Sequence, residues 1–148
     1  MLKRIGIGLG VVLTLLIALA LYFIYTPIPA LPTAPVEKLT LEQAGLTRSY
    51  SVFVPGNLQA GASILFALHP SRSSGEQMRR FAGNVLERVA EQENLIVVYP
   101  DGFEGHFNDC RLAASYSART LNIDDVGFIQ AIIKQLVADK QANPARVF

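Results

Sequence analysis

The chain has 148 residues, 51% of them hydrophobic and 17% charged, with a formal net charge of +1. That length allows one modest domain, and so even a charge balance offers no basic surface for nucleic acid. Cys110 is the single cysteine, which excludes an intrachain disulfide even in an oxidising compartment.

Met1 to Thr26 reads MLKRIGIGLGVVLTLLIALALYFIYT, and from Ile5 to Tyr25 it holds only apolar residues, Gly and Thr. At about 1.5 Å per residue, a helix over that run spans roughly 31 Å, the thickness of a hydrocarbon core. Lys3 and Arg4 lie on its N-terminal side, so the charge rule keeps the N-terminus in the cytoplasm and exports the rest. Ala18-Leu19-Ala20 fits a signal-peptidase site, and a secreted product is the alternative. The run continues through Tyr25, however, and Tyr22 and Tyr25 suit a membrane interface, so residues 1–26 are expected to be an uncleaved signal-anchor, a single transmembrane helix. A helix buried in a soluble core would not explain a segment without any polar face.

Residues 27–36 place Pro27, Pro29, Pro32 and Pro35 close together, which favours an extended, semi-rigid stalk. The exported domain is expected over residues 37–148. Its first regular element, RSYSVFVP from Arg48, alternates Tyr50, Val52 and Val54 with Ser49, Ser51 and Phe53, and stops at the turn cluster Pro55-Gly56-Asn57. SILFALHP, from Ser63, is a short continuous apolar run, as in a strand covered on both faces.

The next segment, Ser73 to Asn94, has helical spacing, with Met78, Phe81, Ala82, Val85, Leu86, Val89 and Ala90 on one stripe and a capping box from Ser74 and Gln77. LIVVYPDG, Leu95 to Gly102, is again an apolar strand ending in a turn. Phe103 to Asn122 is irregular. A last helix follows, with Ile123, Val126, Ile129, Ile133, Leu136 and Val137 on one face, Asn122 as its cap, and Asp124 and Asp125 in the first turn. One of those two carboxylates could also hydrogen-bond the neighbouring loop. Asn143 to Phe148, NPARVF, reads as a loop and the opening of another buried strand.

Strand, strand, helix, strand, helix and incipient strand is the order of an α/β fold with a largely parallel sheet. Chemistry in such sheets gathers at the carboxyl ends of strands, here His69-Pro70-Ser71 and Pro100-Asp101-Gly102.

RSYSVFVP, LFALHP, LIVVYPDG, GHFNDCR, IDDVGFIQAII and NPARVF, taken in that order and spacing, resemble the polyhydroxybutyrate depolymerase and feruloyl-esterase-like family of α/β-hydrolases. The resemblance runs from about Arg48 to Phe148. It implies the N-terminal half of that sheet, ending just before the G-x-S-x-G nucleophile elbow. The catalytic Ser, Asp or Glu, and His would then lie beyond Phe148, and none of the triad within this chain.

The same resemblance makes His69, Pro70 and Ser71 the candidate oxyanion loop. Pro70 stands where the family has Gly and lacks an N–H, so Ser71 would supply the donor. His69 reads as a loop-bonding residue rather than a base, and Ser71, Ser73 and Ser74 as turn and cap residues rather than nucleophiles. Asn108, Asp109 and Arg111 are the candidate rim, with loop bracing as the equal alternative. Phe107 and Cys110 replace the family's Trp and Gly. Cys110 has no local base, and His106 with Asp109 is too small a set for a metal site.

The implied function is ester cleavage through an acyl-enzyme, without metal or organic cofactor, on hydroxyalkanoate oligomers or aryl esters. The protein would be membrane-tethered through residues 5–25, with a periplasmic or extracellular domain. This chain itself, lacking the triad, would be inactive. A non-catalytic membrane-tethered module on the same scaffold, or a peptidase of that fold, are the alternatives.

Overall fold

The computed structural model describes residues 2–25, 34–109 and 111–148. Pro27, Pro29, Pro32 and Cys110 therefore lie outside the described residues. The chain divides into two compact units, Met1–Ala30 and Leu31–Phe148.

The first unit contains α1, Leu2–Tyr25, whose described apolar side chains, among them Leu15, Ile17 and Tyr22, are exposed. Among the described residues no helix is long and apolar enough to cross a membrane. The expected transmembrane helix is thus corrected to a helix without a demonstrated span.

The second unit is built on a mixed sheet. β1 (Val36–Gln43) and β2 (Leu46–Phe53) form an antiparallel hairpin. Ala44 and Gly45, both at positive φ, make the two-residue turn that matches strand twist. Val36, expected in the stalk, opens β1 opposite Phe53. β1 itself was not expected. β3 (Ser63–Phe66) and β4 (Leu95–Pro100) are parallel, β2 and β4 antiparallel, and the order across the sheet is β1-β2-β4-β3. Beyond β3 lies the chain's final segment. The Ile64 amide donates to the Arg146 carbonyl (2.9 Å), Phe148 donates to Ile64 (2.9 Å), and Phe66 donates to Phe148 (2.8 Å). Val147 bridges Ile64 in parallel, so the expected incipient strand occupies the position next to β3.

β4 explains its own apolar sequence, since all six of its residues are buried. Ile96 and Val98 face one core with Tyr50, Val52, Ile64 and the Phe128, Ile132 and Leu136 stripe of α5 (Asp125–Lys140). Leu95, Val97 and Tyr99 face the other, with Phe53 and Ala90. Two covered faces at period two are what a parallel-sheet strand needs. Each such Val or Ile contributes about 1.5–3 kcal/mol on burial.

Two helical expectations need correction. The segment expected as one helix is two, α2 (Gly75–Phe81) and α3 (Val85–Glu93). Gly83 and Asn84, each at φ +58°, break it, because glycine and asparagine tolerate the left-handed region. The break leaves Phe81 87% exposed, Val85 and Val89 exposed, and Ala90 buried on the sheet, so the continuous stripe does not exist. Across the break, Arg79 Nε donates to the buried Glu87 carboxylate at 2.8 Å. Burial, and then that carboxylate, push the Tyr99 hydroxyl well above its ordinary pKa. Ser74 does cap α2, accepting from the Gln77 amide at 3.3 Å.

In α5 the cap is Asp124, not Asn122, accepting from the Gly127 amide at 2.8 Å. Val126, expected on the apolar face, is exposed, and the buried face is Asp125, Phe128, Ile132 and Leu136. A further short helix, α4 (Ser117–Thr120), interrupts the stretch expected to be irregular.

The start of α2 lies so close to β4 that a Cβ on Gly75 would meet the Tyr99 carbonyl oxygen at 2.3 Å. Gly75→Ala is therefore expected to cost about 2–3 kcal/mol in urea unfolding of the full chain, as an overpacked core does. Gly56→Ala, with nothing within 4 Å of the new methyl, should stay within about 0.5 kcal/mol of the parent.

Candidate functional site

Parallel pairing of β3 and β4 brings the loops after both strands to one edge of the sheet. Asp101, directly after β4, has its carboxylate committed to structure. Oδ2 accepts from Ser49 Oγ at 2.7 Å, and Oδ1 accepts from the Gly75 amide at 2.8 Å, which fixes the start of α2. Gly102 follows in a turn so tight that a Cβ would meet the His106 carbonyl oxygen at 2.6 Å.

His69 joins the two loops. It is buried, and its Nε2 accepts from the Gly102 amide at 2.9 Å, which requires that nitrogen to be unprotonated. Nδ1 then carries the proton and donates to the Pro70 carbonyl at 2.8 Å. Both ring nitrogens are occupied by backbone, and the Phe107 ring lies 4.7 Å from the imidazole. In this arrangement the ring positions a loop and has no nitrogen left to take a proton from a nucleophile.

Pro70 has no N–H to offer. Among the described residues the Ser71 amide has no backbone acceptor, while the next amide, Arg72, donates to Gly105 at 2.8 Å. Ser71 Oγ accepts from Arg111 at 2.9 Å, so its partner is a guanidinium and not a histidine. Ser71 also sits in the wall of two adjoining cavities. One, of about 740 Å³, lies between Leu68–Ser73 and α2. The other, of about 770 Å³, is lined by His106, Arg111, Leu112 and Tyr116.

Asp109 and Arg111 form a fork, with Nε to Oδ1 at 2.9 Å and Nη2 to Oδ2 at 2.6 Å. Tyr116 donates to Asp109 at 2.5 Å and receives Arg111 at 3.3 Å, while its ring stacks on His106 with centroids 4.3 Å apart. The Arg111 and then the Tyr116 hydrogen bonds hold the Asp109 carboxyl well below the usual range. Asp109 in turn raises the Tyr116 hydroxyl. Asn108 does not join this clasp. Its amide donates to Asp125 Oδ2 at 2.6 Å, and its side chain donates to the Ile123 carbonyl at 3.0 Å. Asp125 is thus the carboxylate that bonds the neighbouring loop, and it also pairs with buried Arg48 at 2.6 Å.

The structure therefore brings Ser71, Asp109 and Arg111 together, ties His69 to the β4 loop, and places Asn108 on a separate brace. Tyr116 and Arg48 were not anticipated as part of it, and Asp101 was expected only as part of a strand end, without a role. At Arg48 the one available signal was a charge at the same strand parity as Tyr50 and Val52, which are buried. Among the described residues no three His, Cys, Asp or Glu side chains group as metal ligands.

Two outcomes follow from the braces. Asp125→Ala should lower unfolding stability by about 3–5 kcal/mol, because it leaves a buried guanidinium unpaired. Arg48→Met combined with Asp125→Leu should recover much of that loss in the same urea measurement. For the clasp, a carboxylate with a depressed folded pKa contributes above its ordinary value and loses its contribution as pH falls through the lowered one. Carbon-13 titration of Asp109 should show a midpoint clearly below the ordinary value of about 3.9, and Arg111→Gln should return it towards that value.

No family model matches the chain, and no curated protein matches its sequence. Solved structures do resemble it. A thermostable esterase from Pseudomonas putida ECU1011 superposes with a TM-score of 0.52 at 12% identity, over 81% of this chain and 34% of that one. An S-formylglutathione hydrolase from Staphylococcus aureus gives 0.42 at 18% identity, over 66% and 41%. EstE1, a carboxylesterase cloned from a metagenomic library, gives 0.49 at 20% identity, over 80% and 36%. The chain thus spans 34–41% of the length of these proteins. At such identities the likeness speaks to architecture alone, and on the first of these superpositions the four-stranded sheet and its helices match part of the α/β-hydrolase fold.

Proposed function

We propose that this chain is the N-terminal half of a carboxylic-ester hydrolase, of the polyhydroxybutyrate depolymerase or feruloyl-esterase-like kind, whose nucleophile elbow follows Phe148. The observation that carries the reading is the seating of Arg146–Phe148 beside β3. Phe148 lies level with Phe66 through their hydrogen bond, so a continuing strand emerges beside the His69–Ser71 loop. In hydrolases with a G-x-S-x-G elbow, the Ser tops such a strand and an N–H from the β3 loop serves its oxyanion hole. The Ser71 amide, without a backbone acceptor among the described residues, suits that role, and Arg111 of the Asp109–Arg111–Tyr116 clasp bonds the Ser71 hydroxyl. Among the described residues neither histidine hydrogen-bonds a serine: His69 bonds Pro70 and Gly102, and His106 stacks on Tyr116.

The substrate class in this reading is hydroxyalkanoate oligomers or aryl esters. Export and tethering form part of the proposal, supported by the apolar run Ile5–Tyr25, its Lys3/Arg4 flank and the exposed side chains of α1. Pro70 favours a second reading, a tethered scaffold without catalysis, since it removes a donor from the loop that would need one.

The deciding experiment extends the chain by the residues that its own coding sequence supplies after Phe148 and assays p-nitrophenyl butyrate hydrolysis. The chain alone should show no turnover. The extended protein should contain G-x-S-x-G and lose activity at least a thousandfold on Ser→Ala at that motif. An extension without the motif, or one without turnover, favours the non-catalytic scaffold, and turnover confined to peptide substrates favours a peptidase.

A further inference from the structure

The 740 Å³ cavity beside Ser71 has a composition that the reaction chemistry does not require. It is lined by Leu68, His69 and Pro70 from the loop after β3 and by Met78 and Phe81 of α2, of which Met78 also packs against the core around Phe53, Val97 and Tyr99. Spaced by three, Met78 and Phe81 share one helix face, so the apolar surface runs along about one helical turn, roughly 5 Å. Phe81 is 87% and Leu68 46% exposed, although each would be stable in the core. The helix break at Gly83 and Asn84 is what turns Phe81 out of the sheet and into this lining. Ser71, Arg72, Ser73 and Gln77 add polar groups to the lining, with Ser73 Oγ bonded to Gln77 at 2.9 Å.

We infer that this trough is the subsite for an aliphatic acyl chain. The ester carbonyl lies at the Ser71 amide, and the chain lies between Leu68 and Pro70 on one side and Met78 and Phe81 on the other. A lining of both polar and apolar side chains matches a molecule with one carbonyl and a tail, and the volume is within the ordinary range for a ligand site. Methionine and leucine adapt to a flexible chain without a fixed planar slot, which selects aliphatic over aromatic groups. This assignment rests on the ester-hydrolase reading for its chemistry, but binding can be tested without turnover.

The chain has two methionines, so the Met78 methyl can be followed by carbon-13 NMR in the full chain. Titration with methyl butanoate, hexanoate and octanoate should shift that resonance, with affinity rising about threefold per added methylene. Phe81→Ser should weaken octanoate-ester binding at least tenfold. Its side chain is exposed, so the fold should stand, and Leu68→Ser provides a second variant. Leu121→Ser, exposed on another part of the surface, should change nothing.

A Met78 resonance indifferent to chain length, or binding unaffected by Phe81→Ser and Leu68→Ser, overturns the assignment. Tighter binding of methyl benzoate than of the alkyl series overturns its aliphatic character. Chain-length-dependent binding with no turnover in the extended protein leaves the subsite standing and removes the hydrolase reading. Turnover without the Met78 response does the reverse.

Discussion

Arg48 and Asp125 are buried together at the point where the sheet, the last helix and the loop after β4 meet. Arg48 is 3% exposed, its guanidinium lies 4.2 Å from the Phe128 ring centroid, and Nη2 also reaches the Asp101 carbonyl at 3.2 Å. Asp125 spends its second oxygen on the Asn108 amide. Placing two charges out of water is unfavourable unless their remaining hydrogen-bonding capacity is met, so each of these partners is constrained by the others. Nη1 remains without a hydrogen-bond partner, and the aromatic face below the guanidinium offers part of the compensation. Through this one pair, β2 fixes the start of α5 and α5 fixes the base of the long loop carrying Asp109 and Arg111.

From that anchor the candidate site is assembled by short bonds between loops rather than by regular structure. His69 reaches to Gly102, Arg72 to Gly105, Arg111 to Ser71 and Asn108 to Asp125. The first three join the loop after β3 to the segment after β4, and the last ties that segment to the start of α5. The result is a platform in which, among the described residues, the Ser71 amide has no backbone acceptor while the adjoining Arg72 amide is held. This is the condition for an electrostatic site, since donors that must reorganise during a reaction contribute less than donors already fixed.

Much of the architecture was legible because burial on both faces leaves a plain record. Leu95–Pro100 could hardly be anything but an interior strand, and apolar spacing from Ile123 to Val137 announced α5, although the face it buries is Phe128, Ile132 and Leu136 and not the stripe through Val126 and Ile129. β1 escaped because an edge strand needs only one covered side. Its Val36, Leu39 and Leu41 are diluted by exposed charges and follow a proline-rich stretch. The interruption at Gly83 and Asn84 escaped because Met78 to Ala90 keeps helical spacing through the break, and spacing does not register a reversal of φ. Pairings such as Ser71 with Arg111 or Arg48 with Asp125 join residues far apart in sequence, and no local pattern encodes them. The resemblance did mark Ser71, Asp109 and Arg111 individually, but not the tyrosine that completes their network.

The seat of Val147 against Ile64 also bears on how the protein comes into being. β3 emerges early during synthesis, yet its two hydrogen-bonded neighbours, β4 and the Arg146–Phe148 segment, are translated much later. Until they arrive, its backbone groups and the apolar side chains of Ile64 and Leu65 have no sheet to join. Non-local parallel pairing of this sort raises contact order and slows folding, because loop closure must precede any gain from pairing. The β1–β2 hairpin, closed by two residues, can form first and wait. A nascent chain of this design therefore passes through a period with an adhesive, half-built sheet, and a holding chaperone during that interval would matter more to its yield than the final stability of the fold.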